Sequence, residues 1–360
     1  MSRGSQRARS RRQVVGSIAT ATLVLIGCLQ LATSASAQAS RPNVAAAAAA
    51  DPWWCWWFGT CTNTTTPTTM PTTTTAPTTT TTAATTTTTE PPSGDGPCGG
   101  VATKAKATGG TWTCSFYDEF TGDALDRSKW IPQQTNGSGF SSAQKDCYVD
   151  TPANVSVADG RLVLTSRQEA APFTCTATRW TSWRTQVTSG SVSTYGGRFS
   201  QTYGRFEARM RVTGAKVTGL HEAFWLWPNN PTKYGAWPRS GEIDIAEIYH
   251  QYPDRAIPYI HYNNTNDKNV TNNYCMIDDI SQFHTYVAEW TSVSIKIIYD
   301  GQLCLEDKWS PAWPQSGRQP FDQPFIVALT QALGQNTNAY NAATTPLPAS
   351  TEVDYVRVYK

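Results

Sequence analysis

From residue 98 to the end of the chain, no stretch sustains a helical period over three turns. Apolar residues fall instead in short alternating runs, broken by Gly, Pro and Asn. Alternation of period two puts successive side chains on opposite faces of an extended strand, so each run predicts a strand with one buried face. Residues 161–166 (Arg-Leu-Val-Leu-Thr-Ser), 204–212 and 294–299 are clear instances, the last running into the turn Asp300-Gly301. Residues 353–359 read as a closing strand. Many short strands at this spacing predict an all-β domain, an antiparallel sandwich or barrel.

The first 97 residues do not join that core. Residues 1–37 hold Arg3, Arg7, Arg9, Arg11 and Arg12, no acidic residue, an apolar stretch through Leu29 and the small residues Ala35-Ser36-Ala37. This is the layout of an export signal. Arg11-Arg12 fits a twin-arginine signal as well as an ordinary secretory one, and Leu25-Ile26-Gly27-Cys28 resembles a lipoprotein box with Cys28 lipidated. All three readings predict a secreted, extracellular protein. Residues 38–61 are alanine-rich, then cluster Trp53, Trp54, Trp56, Trp57 and Phe58 around Cys55. That cluster is either a small disulfide-closed knot or a patch that grips cell-wall polysaccharide by stacking. Residues 62–97 form a Thr/Pro-rich spacer; positions 62–92 alone hold 20 threonines and 5 prolines, which cannot offset the entropy of ordering. One folded domain, residues 98–360, remains.

Charge narrows its partners. The chain has 29 basic and 27 acidic residues, and setting aside the five leader arginines turns a net +2 into −3. With no basic face for phosphates, a nucleic-acid partner is excluded. A mean hydropathy of −0.42 excludes a multispan membrane protein. So does the lack, outside the leader, of an apolar run of about 20 residues. Of nine cysteines, Cys28 belongs to the leader and eight remain, an even number suited to an oxidising compartment. Short loops close most easily, so the expected pairs are Cys55–Cys61, Cys98–Cys114, Cys147–Cys175 and Cys275–Cys304. The four histidines, His221, His250, His261 and His284, are scattered and suggest no zinc site.

The most informative segment is 240–248, Ser-Gly-Glu-Ile-Asp-Ile-Ala-Glu-Ile. On a regular strand Glu242 and Asp244 share one face and Glu247 points to the other. One extra residue, a β-bulge at Ile245/Ala246, brings all three carboxylates onto the same face. A solvated acidic strand would need no bulge. Here, however, the flanking residues are Trp225, Trp227 and Trp237 rather than neutralising lysines or arginines. Rings that stack on sugars beside carboxylates able to act as acid and nucleophile are what glycosidic-bond cleavage requires.

Glu-Ile-Asp-Ile-Ala-Glu resembles the Glu-x-Asp-x-x-Glu signature of glycoside hydrolase family sixteen, the laminarinase-like enzymes. The resemblance extends from about residue 114 to 360. It takes in Phe116-Tyr117-Asp118-Glu119-Phe120, Leu125-Asp126, Lys129-Trp130, Asn154-Val155, Asp159-Gly160-Arg161-Leu162 and Tyr203-Gly204-Arg205-Phe206-Glu207. It continues through Phe283-His284-Thr285-Tyr286, Glu289-Trp290 and residues 353–359. It implies a concanavalin-like β-jelly roll of two curved antiparallel sheets with a substrate groove, and a retaining, endo-acting hydrolase of a β-1,3-glucan or related glucan.

In that resemblance Glu242 is the nucleophile, Glu247 the acid/base, and Asp244 the residue that steadies the nucleophile. Asp244's charge would also help keep Glu247 protonated. Retention needs carboxyls about 5–5.5 Å apart, against roughly 6.5–9.5 Å for inversion. The expected substrate contacts are Trp225, Trp227, Trp237, His221, His261 and Asn154, with His261 facing the acid/base and His284 supporting the fold. No cofactor is implied for catalysis; a structural calcium is, with Glu119, Gly160 and Asp354 where its ligands would come from. Two departures bear on substrate. Many laminarinase-like members read Ser-Gly-Arg where Ser189-Gly190-Ser191 stands, and Gly-Leu-Trp-Pro-Ala-Phe-Trp where residues 219–225 read Gly-Leu-His-Glu-Ala-Phe-Trp. A cell-wall transglycosylase using the same site, or a non-catalytic lectin-like module, are the alternatives; the lectin has no need of both glutamates. The protein is expected to act as a monomer on a polysaccharide.

Overall fold

The computed structural model describes residues 94, 96–138, 145–264 and 270–360. The expected export signal, Cys28, the Trp-rich segment, the Cys55–Cys61 pair and nearly all of the spacer lie outside the described residues.

Among the described residues there are seventeen strands, one four-residue α-helix (Thr135–Ser138) and one 3-10 turn (Asn336–Asn338). In chain order the strands are β1 (Thr103–Ala105), β2 (Thr111–Asp118), β3 (Ile131–Pro132), β4 (Cys147–Tyr148), β5 (Val155–Ala158) and β6 (Arg161–Thr178). Then come β7 (Thr181–Ser189), β8 (Ser191–Ser193), β9 (Gly204–Thr213), β10 (Leu220–Pro228), β11 (Glu242–Tyr249) and β12 (Ile257–His261). The last are β13 (His284–Trp290), β14 (Ile295–Tyr299), β15 (Gln302–Asp307), β16 (Phe325–Leu333) and β17 (Ala349–Tyr359). They make two sheets: an 11-stranded one along the path β15-β14-β13-β9-β17-β6-β7-β4, with β2 also on β17, β1 on β2 and β5 on β6, and a 6-stranded one in the order β12-β11-β10-β16-β8-β3. The all-β jelly roll expected from the sequence is the fold observed.

The core lies between the sheets. From the larger come Leu162, Leu164, Phe206, Met210, Tyr286, Trp290 and Val356; from the smaller, Phe224, Leu226, Ile243, Ile245, Ile248, Val327 and Leu329. Along most strands these occupy alternate positions, as burial of one strand face demands; β11 departs from this between Ile245 and Ile248. Trp290 is fully buried among Phe325, Tyr203 and Phe321, with ring centroids at 5.1, 5.5 and 6.5 Å. Strand β17 is not the plain strand its sequence suggests. Val353, Val356 and Val358 all face the core, which simple alternation forbids, and a register shift between Val353 and Tyr355 absorbs the change of parity at Asp354.

The three pairs expected within the described residues, Cys98–Cys114, Cys147–Cys175 and Cys275–Cys304, are all formed. His284 does support the fold: Nδ1 meets Asp300 Oδ2 at 2.6 Å and Nε2 meets the Asp279 carbonyl at 2.8 Å. Among the described residues no helix is long and apolar enough to cross a membrane.

Candidate active site

The carboxylate segment is β11, held between β10 and β12. Its approach is set by Gly241, whose φ of +83° suits glycine, and whose missing Cβ would lie 3.0 Å from both Phe321 and Phe325. A side chain there would push Glu242 out of place. Further along, β10 pairs Trp225 with Asp244 and Phe224 with Ala246, so Ile245 is the extra residue of a bulge. Ile243, Ile245, Ala246 and Ile248 all enter the core, which leaves Glu242, Asp244, Glu247 and Tyr249 on the opposite face. The bulge lies at Ile245/Ala246, where the carboxylate spacing requires it.

Neighbouring strands complete that face. From β10 come His221, Ala223, Trp225 and Trp227; from β12, Tyr259 and His261, the latter paired directly with Glu242. The Trp237 indole N–H donates to Glu242 Oε2 at 3.0 Å. Glu247 Oε1 accepts two hydrogen bonds, from His221 Nε2 at 3.0 Å and from the Tyr249 hydroxyl at 3.0 Å. His221 stacks on Tyr249 with centroids 4.7 Å apart and planes at 15°. His261 Nε2 lies 3.0 Å from Asp244 Oδ2, its ring stacked on Tyr259 at 3.9 Å and tilted against Trp237 at 5.4 Å. Trp225 donates to Thr330 Oγ1 at 3.0 Å and meets Trp227 edge-on.

All three carboxyls are buried, and their surroundings separate them. Burial, then the charges of Asp244 and Glu247, push Glu242 well above the usual carboxylate range. Burial and the charge of Glu247 do the same to Asp244. Burial also works to raise Glu247, but the hydrogen bond and charge of His221 and the Tyr249 hydroxyl outweigh it and hold it low. Burial pushes His261 down to about 3, so that imidazole is neutral. Glu242 and Asp244 therefore favour the proton and Glu247 favours ionisation, so a proton must pass from Glu242 toward Glu247 before Glu242 can attack and Glu247 can act as acid.

Several expectations are corrected. Asp244 is itself pushed toward its neutral form, so its charge is not what governs Glu247; His221 and Tyr249 are. His261 Nε2 lies 3.0 Å from Asp244 Oδ2, and the ring also feels the charge of Glu247. His221 spends its Nε2 on Glu247 instead of offering a platform to sugar. Asn154, buried in the turn before β5, uses its amide within the fold: it donates to the Thr165 carbonyl and Thr188 Oγ1 and accepts from Thr151. Where the Ser-Gly-Arg pattern places an arginine, Ser191 is buried and bonded to Thr330 and the Leu329 carbonyl. Trp225, Trp227 and Trp237 do gather on the carboxylate face, packed with Ala223, Ala328 and Tyr148.

Three residues of the site escaped the sequence reading. Tyr249 was legible in principle, since it follows Glu247 by two and shares its face. Thr330 and Tyr259 come from other strands, and only the registers Ala223↔Thr330 and Asp244↔Tyr259 bring them in.

The residues expected to hold calcium lie on β17 or next to strands paired with it. The pairs Asp118↔Val356 and Leu162↔Val353 bring the strands next to Glu119 and Gly160 onto β17. Carboxylate and carbonyl oxygens suit the ion. In this arrangement, however, Glu119 binds Arg357 through both oxygens and Asp354 pairs with Arg209 at 2.7 Å.

Comparison with known proteins accords with this geometry. The sequence profile of Glycosyl hydrolases family 16 matches residues 121–356. A glucan endo-1,3-beta-glucosidase A1 of Niallia circulans is 30% identical over 269 residues, covering 68% of this chain but 37% of that protein. A glucan endo-1,3-beta-glucosidase of Cryptopygus antarcticus is 31% identical over 243 residues, 63% of this chain and 82% of its own length. The solved structure of an endo-beta-1,3-glucanase from Pyrococcus furiosus superposes with a TM-score of 0.59 at 27% identity, covering 72% of this chain and 98% of that one.

Proposed function

The chain belongs to glycosyl hydrolase family 16, and from that premise we propose that it is an endo-acting β-glucanase that cleaves with retention of configuration. β-1,3-glucan is the substrate class the relatives' names favour. The observation that carries the mechanism is the bulged strand β11, which puts Glu242, Asp244 and Glu247 on one face with different partners. Trp237 engages Oε2 of Glu242 and leaves Oε1 to attack the anomeric carbon. Glu247 protonates the departing glycosidic oxygen, then takes a proton from the water that releases the glycosyl-enzyme. A neutral Asp244 can donate a hydrogen bond to Glu242 as that group becomes a carboxylate. Trp225, Trp227 and Trp237 supply rings for sugar faces.

The test combines substrate and stereochemistry. Reducing ends should appear from laminarin or lichenan, and not from agarose or galactan. Proton NMR of the earliest product should show the β-anomer; an α-anomer formed first would rule out double displacement.

The same proposal includes secretion, a domain beginning near Cys98 and a calcium held by Glu119, Gly160 and Asp354. The ion would tie β2, the β5–β6 turn and β17 together, with Arg209 released from Asp354 and Glu119 either released from Arg357 or offering its main-chain carbonyl. Calcium at a hundred times its Kd should then stabilise the fold by about 2.7 kcal/mol, read as a higher Tm than in chelator. An unchanged Tm removes the ion from the proposal.

A further inference from the structure

His221 of β10 stands against the acid/base and makes a contact there that a carbon platform for sugar would not. Its Nε2 is 3.0 Å from Oε1 of Glu247, and the Tyr249 hydroxyl fixes that same oxygen from the other side. The imidazole cannot swing away, because it is buried and stacked on Tyr249 at 4.7 Å. Strand pairing holds the arrangement: β10 and β11 place His221 opposite Tyr249 and Ala223 opposite Glu247.

We propose that His221 is a positioning residue that shares one proton with Glu247, so that the pair, rather than the carboxyl alone, serves as acid and then base. The proposal rests on the β-glucanase reading above. Each turnover asks Glu247 for opposite states. When Glu242 bonds to the anomeric carbon, the C–O bond to the leaving group breaks and the proton on Glu247 goes to that oxygen. When water displaces Glu242, the water's proton returns to Glu247, and the balance is restored. A lone carboxyl buried beside two others would favour one state heavily. A nitrogen base in hydrogen-bond contact gives the proton a second place to reside, a short transfer away and without solvent.

The groups facing Glu247 are few. Glu242, Asp244 and Tyr249 lie on its own strand, His221 on β10 and His261 on β12. Behind the strand Tyr299 of β14 donates to the Ile245 carbonyl. Burial drives His261 to its neutral form, and Tyr249 and Tyr299 are pushed well above the ordinary tyrosine range by burial and by Glu247. His221, in direct hydrogen-bond contact with Oε1, is the neighbour placed to exchange a proton with Glu247.

The test is His221→Gln in the full chain. The amide can still donate to Oε1 but cannot hold a proton. A carboxyl and an imidazole that share a proton titrate as one coupled pair, in two steps. In the variant these collapse into one step between them. The alkaline limb of kcat/KM on laminarin should move to lower pH by about one unit or more, and the carbon-13 titration of the Glu247 carboxyl should move up by about as much. If neither moves, His221 is only a packing residue and the proposal fails. A wild-type profile in His221→Trp would overturn it as well, because an indole has no second site for the proton. The carboxyl titration needs no substrate. If it shifts as expected while the wild type cleaves no β-glucan, proton sharing stands and the substrate reading falls. Should the glutamine variant melt more than about 5 °C below the wild type, His221→Asn carries the same measurements.

Discussion

Glu242→Ala is expected to lose polysaccharide turnover by about 10⁴-fold or more, because without a nucleophile no glycosyl-enzyme forms. Glu247→Ala behaves differently. It removes proton delivery, a contribution of about 10²–10⁴-fold that matters most for a poor leaving group. An activated aryl glycoside should still be glycosylated by Glu247→Ala and then stall, since the same residue must activate water in the second step. Azide needs no base and should restore turnover. It would attack the α-linked intermediate and give a β-glycosyl azide. With Glu242→Ala, azide attacks the substrate itself and gives the α-azide. Anomers in the reverse order would exchange the roles of the two glutamates, and unimpaired polysaccharide cleavage by either variant would move the active site off β11.

The second large effect is on stability. Trp290→Ala empties the space between the sheets where Phe325, Phe321 and Tyr203 meet edge-on. Truncating a fully buried tryptophan costs about 3–5 kcal/mol in lost transfer energy and unfilled cavity. For a domain of this size that corresponds to a fall in Tm of roughly 10 °C. Differential scanning calorimetry reads it directly. A fall of less than about 3 °C would mean that this cluster collapses around the gap and does not join the two sheets rigidly.

The two positions differ in how readable they were. Trp290 sits in a run whose alternation marks a strand, and its burial follows from pairing a face of β13 with the core. Glu242, Asp244 and Glu247 were legible for a subtler reason. Their spacing violates strand parity, and a bulge is the least disruptive way to keep isoleucines inside and carboxylates out. The same device on β17 went unread, because Val353, Val356 and Val358 look enough like alternation to hide the extra residue at Asp354.

Sequence by itself determined that the domain is all-β, that its cysteines pair with near neighbours, and that three carboxylates crowd one strand face. All of these are local: strand period, loop length and bulge parity depend on residues close together in the chain. Tertiary structure alone decided which partner each carboxyl received. His221 rather than His261 reached Glu247, and His261 settled on Asp244. The registers β10–β11 and β11–β12 set those distances, and a shift of one residue would have turned either imidazole to the other face of the sheet. Proton affinities at a buried site depend on such contacts, at hydrogen-bond range and between strands distant in sequence. The chemistry of Glu247 was therefore settled by strand register and not by any motif.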